Sequence, residues 1–333
     1  MQYSALLLDP CPLVIAHRGA SGCRPEHTLA AYDLAIDQGA DVIEPDLVPT
    51  RDGVLIARHE NEIGGTTDVA DHPGFTDRRT TRTIDGVETT GWFAEDFTLA
   101  ELKQLRARER LPELRPDNAS FDGRFEVPTL AEIIALAKRR SAETGRSIAI
   151  YPETKHPAYF ASIGLGSDAP LVAALDEAGW STSDAPVFIQ SFEVANLRRL
   201  AGMTGVRLIQ LLDAAGAPAD GTVVSYAAIA SADGLREVAR YAWGIGPSKA
   251  MLWAGDRPSP LVADAHAAGL RVHPWTYRAE NRFLPHRFRR GDDPAGHGDL
   301  MGEIGAALRL GIDGFFTDHP DIGVAARAAW QGT

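Results

Sequence analysis

The residues best placed to do chemistry fall within the first sixty positions of this chain. The run Val14-Ile-Ala-His17-Arg18-Gly19 ends an apolar stretch with a histidine and an arginine. An imidazole carries a proton near neutral pH, and a guanidinium grips two oxygens of an oxyanion at once. An isolated pair of this kind could equally be a capping histidine beside a surface arginine, because a short motif is weak by itself. The next apolar run, Val42-Ile-Glu44-Pro-Asp46, carries two acids two residues apart, so on a strand they share a face. Paired carboxylates facing one interior repel each other and resist ionisation unless a cation lies between them. Oxygen donors at that density suit a hard divalent ion, Ca²⁺ or Mg²⁺. A solvated strand edge is the alternative, and the apolar flanks Val42, Ile43 and Leu47 argue against it. A third run, Leu55-Ile-Ala-Arg-His59-Glu60, follows Thr50-Arg-Asp-Gly53. Asp-Gly between apolar runs signals a hairpin, which would return a second histidine beside the first strand.

The elements that must position these groups alternate regularly. Short β-branched runs occur at Leu13–Ala16, Asp41–Leu47, Ser147–Tyr151, Val187–Ile189, Arg207–Leu212, Trp243–Ile245, Arg271–Pro274 and Gly314–Thr317. Helical stretches lie between them at Thr28–Gln38, Thr129–Arg140, Pro170–Ala178, Val194–Ala201, Asp233–Ala242, Leu261–Ala268 and Leu300–Leu310, several of them followed by glycine. Alternation of this kind predicts right-handed βαβ units, and eight parallel strands are the number that closes a TIM-like (β/α)8 barrel. Val54–His59 breaks the rhythm as an antiparallel partner of the second strand. After it comes a stretch rich in Gly, Asp, Thr and Arg, residues 61–125, with one helical piece at Leu99–Arg108. Structureless stretches of that length are uncommon inside a domain unless they carry function, so it reads as a small insertion subdomain on the catalytic rim. Trp92 and Phe93 would line the mouth of the site or form the insertion's own core. The whole chain, 1–333, reads as one barrel domain carrying that insertion, because the polar strand ends run from His17 to Asp318.

Composition narrows the partners. The chain has 333 residues and a formal net charge of -12, which disfavours nucleic acid because such binders show a basic face. An anionic small molecule stays open, since local cations or a metal can reverse the field in one cavity. The first residues lack a basic segment, and the apolar run Ala5–Leu8 is too short for a signal-peptide core. No run reaches membrane-spanning length. The chain is therefore expected to be cytoplasmic as it stands, and periplasmic or secreted where a leader has been removed. Cys11 and Cys23 read as two free thiols, although their spacing permits a bridge.

Taken together, His17-Arg18-Gly19-Ala-Ser21, Pro25-Glu26-His27-Thr28, Glu44-x-Asp46 and Asp52-Gly53…His59 resemble the N-terminal signature of the glycerophosphodiester phosphodiesterase family. Tyr151-Pro-Glu153-Thr-Lys155, Phe188-Ile-Gln190-Ser-Phe192, His273-Pro-Trp275-Thr-Tyr277-Arg278 and Phe316-Thr-Asp318-x-Pro320 extend the likeness over nearly the whole chain. The insertion, down to Thr67-Asp68-Val-Ala-Asp71, is similar to the long, bacterial periplasmic-type members. The resemblance implies metal-dependent hydrolysis of a small glycerophosphodiester to glycerol 3-phosphate and an alcohol. His17 and His59 would be the acid–base pair, and Glu44, Asp46 and Glu153 would hold one divalent cation, Ca²⁺ or Mg²⁺. Arg18 and Lys155 would hold phosphate oxygens, Trp275 would shape the wall for the alcohol, and Glu26 would orient polar groups. Gln190 and Asp318 would be pocket residues without an assigned step. Glu60 stands where many members carry aspartate. A lysophospholipase D-like or sphingomyelinase D-like enzyme on the same fold, or a barrel without catalysis, are the rival readings. His27 reads as pocket rim, and His72, His266, His286 and His297 as solvated.

Overall fold

The computed structural model describes residues 11–332; the apolar run Ala5–Leu8 lies outside them. Eight parallel strands form the frame. Leu13–His17 pairs with Gly314–Thr317 on one side and with Val42–Glu44 on the other. The second strand continues as Asp46–Pro49, and the third, Ala149–Ile150 and then Glu153–Thr154, pairs with both of its halves. Phe188–Ser191, Arg207–Leu212, Gly244–Pro247 and Arg271–Val272 follow in parallel order. The last gap closes where Tyr277 bridges Thr317 and the Phe316 amide donates to the Pro274 carbonyl at 3.0 Å. The circuit of pairings is complete, and the TIM-like (β/α)8 barrel expected from the strand count is the observed architecture.

The structure breaks two strands that read as continuous. Pro45 and Pro152 lack an amide hydrogen and interrupt the second and third strands at the same level. The interruption is useful to the site: the Glu153 amide donates to the Pro45 carbonyl at 2.9 Å, and the Gln190 amide to Pro152 at 2.9 Å. Glu44, Asp46, Glu153 and Gln190 therefore leave neighbouring strands at nearly one height, with Asp46 paired to Glu153 and Glu153 to Gln190. The expected hairpin is present, Leu55–Ala57 running antiparallel to Asp46–Pro49.

Helices start where side chains can cap them. Thr28 accepts from the Ala31 amide at 3.1 Å and opens Leu29–Asp37, and a Thr129–Glu132 capping box opens Leu130–Thr144. The buried faces of these two helices pack on the barrel strands in a large apolar cluster around Ile43, Ile150 and Leu197, and later helices pack in a second around Ile245, Tyr277 and Phe315. Among the described residues no helix is long and apolar enough to cross a membrane. Cys11 and Cys23 are both free thiols.

Residues 61–125 depart from expectation in detail. The helix read at Leu99–Arg108 is only Leu99–Leu102, capped by Thr98 and Glu101. Beyond it the chain is drawn into backbone pairing, with Ala107 bridged to Thr67 and its amide donating to Phe125 at 2.8 Å. An unforeseen hairpin, Thr80–Ile84 with Val87–Gly91, turns at Asp85-Gly86, both at positive φ. The apolar residues of the insertion, Ile63, Val69, Phe75, Phe97 and Leu102 among them, share a core with Val48 and Ile56 of the barrel hairpin. Phe93 is fully buried and Trp92 packs against that core with its indole N–H on the Phe75 carbonyl; neither lines the cavity described next.

Candidate active site

The carboxyl ends of the barrel strands open into a cavity of about 340 Å³. His17, Arg18, Glu44, His59, Glu153, Lys155, Gln190 and Trp275 all line it. Glu26, Asp46 and Asp318 stand behind that wall and hold its members in place.

His17 ends the first strand. Its Nδ1 lies 2.6 Å from Asp318 Oδ1, which leaves Nε2 as the nitrogen without that partner. Burial and the Arg18 charge push the His17 ring down to about 4, against the opposing pull of Asp318. Asp318 is itself gripped through Oδ2 by Arg115 at 2.6 Å and Arg278 at 2.8 Å. Burial alone would raise its carboxyl, but Arg278, Arg115 and His17 outweigh that and hold it well below the ordinary carboxylate range.

Arg18 follows in an uncommon backbone state, φ 60°, and His27 in another, φ 55°. Such positions cost on the order of 1–3 kcal/mol each and persist where surrounding contacts demand them. Here the His27 amide donates to the Arg18 carbonyl, and the Arg18 amide to Glu44 Oε2 at 2.9 Å. Gly19, φ 87°, lets the turn press on the first helix, where a Cβ would lie 2.6 Å from the Ala31 carbonyl carbon. The Arg18 guanidinium contacts Glu26 at 3.0 Å and Asp46 at 3.3 Å.

His27 is a correction. Instead of lying on the rim it is fully buried, its Nε2 2.8 Å from Asp46 Oδ2 and its Nδ1 2.8 Å from the Tyr32 hydroxyl.

His59 leaves the hairpin on the other side. Its Nδ1 meets Glu60 Oε1 at 2.5 Å, Glu60 Oε2 meets Arg110 at 2.6 Å, and Arg110 returns two bonds to Glu26. Burial, then Arg18 and Lys155, push the His59 ring down to about 3. Its side chain is 31% exposed, so solvent screens part of that effect and the ring lies closer to its ordinary value than full burial would leave it.

The ligating oxygens of Glu44, Asp46 and Glu153 lie within 4.8 Å of one another. Burial together with the Asp46 and Glu153 charges pushes Glu44 well up, and burial raises Glu153 to about 8 although Lys155 Nζ sits 2.7 Å away. Asp46 is the member kept ionised: burial would raise it, but Lys155 and the His27 hydrogen bond outweigh burial. Protons thus occupy acids that cannot all be charged without a cation, and the donor set fits one hard divalent ion. Gln190 Nε2 steadies Glu44 Oε1 at 2.9 Å. Phe192 and Trp275 form an aromatic wall, rings 5.7 Å apart, and the Trp275 indole donates to the Gly246 carbonyl at 2.8 Å.

Residues 17–322 match the model of the glycerophosphoryl diester phosphodiesterase family. The chain belongs to that family. A glycerophosphodiester phosphodiesterase of Arabidopsis thaliana is 37% identical over 324 residues, covering 92% of this chain and 83% of that one. A glycerophosphodiester phosphodiesterase of Haemophilus influenzae is 29% identical, covering 94% and 88%. A solved structure from Silicibacter pomeroyi superposes with a TM-score of 0.69 at 22% identity, over 99% of this chain and 98% of that one. A phosphodiesterase of Oleispira antarctica, solved with the product sn-glycerol-3-phosphate, gives 0.61 at 21%, over 95% and 96%.

Within this family frame, residues that the sequence did not single out also build the site. Arg278 ends the motif that begins at His273, where it had no role, and proves to hold Asp318. Arg110 and Arg115 lie in the polar insertion, where a lone arginine has no pattern to mark it.

Proposed function

We propose that the chain hydrolyses glycerophosphodiesters to glycerol 3-phosphate and an alcohol at this cavity. The observation that carries the reading is the pair of histidines. Each lines the cavity beside three clustered carboxylates, and each is bonded at Nδ1 to a carboxylate. A carboxylate on Nδ1 fixes the tautomer and directs Nε2 at the reacting group. One ring, neutral at Nε2, takes a proton from the nucleophile; the other takes a proton from solvent at Nε2, is held as the imidazolium by its carboxylate and the phosphate anion, and gives that proton to the leaving alkoxide. Arg18 and Lys155 supply the positive field for the phosphate oxygens. A divalent cation, Ca²⁺ or Mg²⁺, held by Glu44, Asp46 and Glu153 would neutralise charge on the phosphate and stabilise the transition state. The 37% identical Arabidopsis relative, whose name states this activity, supports the same assignment. Residues 61–125 belong functionally to the barrel, because Arg110 and Arg115 reach from that segment to Glu26, Glu60 and Asp318.

Glycerophosphocholine should be turned over in the presence of Ca²⁺ or Mg²⁺ and not after chelation, with activity returning on re-addition. Glu44→Gln and Asp46→Asn should lower both metal content and rate. Unchanged activity and metal content in both variants would remove the metal assignment. Turnover of lysophosphatidylcholine or sphingomyelin but not of glycerophosphocholine would replace the substrate class.

A further inference from the structure

Among the described residues one other group has the make-up of a metal site: Glu280, His297 and His319, whose ligating atoms lie within 4.8 Å of one another. The three come from separate segments. Glu280 opens the excursion that follows the seventh barrel strand, His297 ends it, and His319 precedes the last helix, Pro320–Gln331. Backbone pairing sets their heights: Glu280 and His297 form an antiparallel bridge, and the Gly298 amide donates to the Ala279 carbonyl at 2.9 Å. The His297 and His319 rings stand edge to face, centroids 5.1 Å apart.

Two of the three side chains carry buried atoms with no partner. Glu280 is fully buried; Arg115 occupies Oε1, and Oε2 has nothing. His319 is 3% exposed, and its Nε2 has nothing. A Cβ at Gly22 would press on the face of that imidazole, so glycine lets the turn pack directly against the ring. Buried polar atoms are almost always satisfied, and two orphans in one cluster call for a bound group. A water donating to both atoms would satisfy them, and so would a cation; a third donor converging on the same point, His297, is what favours the cation.

We infer that Glu280, His297 and His319 bind a borderline transition ion such as Zn²⁺, distinct from the cation of the three-carboxylate site. Two imidazoles and one carboxylate form a donor set preferred by Zn²⁺ over Ca²⁺ or Mg²⁺, with water free to complete a tetrahedron. Loading places the proton of His319 on Nδ1 and trades away the long Ala279 N–H contact there, 3.4 Å. The ion would pin both ends of the excursion between Glu280 and His297 to the turn that carries Asp318. It would also fix the Glu280 carboxylate, which shares Arg115 with Asp318. The role is that of a clip behind the rim, and the inference stands apart from the hydrolytic reading.

Chelated full-length protein would be titrated with Co²⁺ in a large excess of Ca²⁺ and Mg²⁺, following visible absorption. The wild type should bind one equivalent with the bands of a four-coordinate nitrogen–oxygen site. The exposed His297 can be changed without disturbing the core: His297→Ala should abolish the bands and weaken binding at least tenfold, while turnover with Ca²⁺ stays within a few-fold. Zn²⁺ should raise the melting temperature of the wild type and leave that of His297→Ala unmoved. Glu280→Gln should show the same loss of bands. No Co²⁺ binding by the wild type, binding as tight in His297→Ala, or binding that depends on Glu44 and not on His297 would each overturn the site.

Discussion

His17 and His59 reach the same cavity from sides built in different ways. His17 ends a central barrel strand, and its Asp318 is 2% exposed and locked by Arg115 and Arg278. His59 follows a short hairpin strand, and its Glu60 has a side chain 38% exposed, anchored by an arginine of the insertion that is itself 26% exposed. Chemically the two dyads are equivalent. Mechanically one is embedded in the scaffold and the other is pinned from outside. The difference teaches that a rigid barrel can supply half of an acid–base pair while an added segment supplies and adjusts the other half.

The largest effect should come from deleting either ring. His17→Ala and His59→Ala should each lower kcat by about 10²–10⁴, the range for a positioned acid or base. KM should move far less, since Arg18 and Lys155 remain. The double variant should be little worse than either single one, because groups acting as a unit are not additive. A nitrophenyl ester, whose leaving group needs no acid, should rescue only the variant lacking the acid. Equal rescue of both, or of neither, would end the division of labour between the two sides.

A smaller effect should separate the two supports. Asp318→Asn should cost about 10²-fold in kcat and Glu60→Gln about tenfold or less, within the range for residues that orient a functional group. Asp318→Asn also takes a carboxylate from Arg278 and leaves Arg115 with Glu280 as its carboxylate partner, and should cost about 3 kcal/mol of stability, the low end of the scale for breaking a buried pair. Glu60→Gln leaves solvent to cover the loss and should cost under about 1 kcal/mol. Both should displace the acidic limb of kcat/KM against pH, a readout that a purely structural role would not move. If Glu60→Gln proves as damaging as Asp318→Asn, the contrast between the two sides is wrong.

The same contrast marks what could be read in the sequence. The eight strands are legible because short apolar runs alternate with helical stretches and most end in polar residues, and the first hairpin because Asp52-Gly53 sits between apolar runs. The Asp85-Gly86 hairpin carries the same turn signal and escapes notice, because its strands are threonine-rich and mostly exposed and show no apolar face. The overlong helix at Leu99–Arg108 has a true start in its Thr98 capping box, but its end is set by pairing with Thr67 and Phe125, distant in sequence. The expected site residues that line the cavity lie on barrel strand ends or on the hairpin, where periodicity fixes direction. His27, Arg110 and Arg115 act through positive-φ turns or irregular loops, which leave no period to read.

The smallest functional effect should belong to a buried histidine outside the cavity. His273 is 1% exposed and is bonded through Nδ1 to the Tyr151 hydroxyl at 2.9 Å, a neutral partner where His17 and His59 have carboxylates. Burial pushes its ring down from 6.5 to about 4. The unfolded chain therefore binds more protons than the folded one between those values, and stability falls as the pH drops through that window. The contribution is fully present above pH 6.5 and amounts to about 3 kcal/mol, since each pH unit between the two values is worth about 1.4 kcal/mol. His273→Gln keeps a hydrogen-bonding group but cannot titrate. Against the wild type, its stability should fall less steeply from pH 6.5 to 4, by up to about 1.4 kcal/mol per pH unit. Neutral-pH kcat should stay within a few-fold, because a histidine with a phenol for a partner has no carboxylate to stabilise it once protonated. Denaturant unfolding at several pH values measures the slope directly. An unchanged slope would mean that His273 takes up its proton in the folded protein as readily as in the unfolded chain, and the distinction between carboxylate-backed and phenol-backed histidines would fail with it.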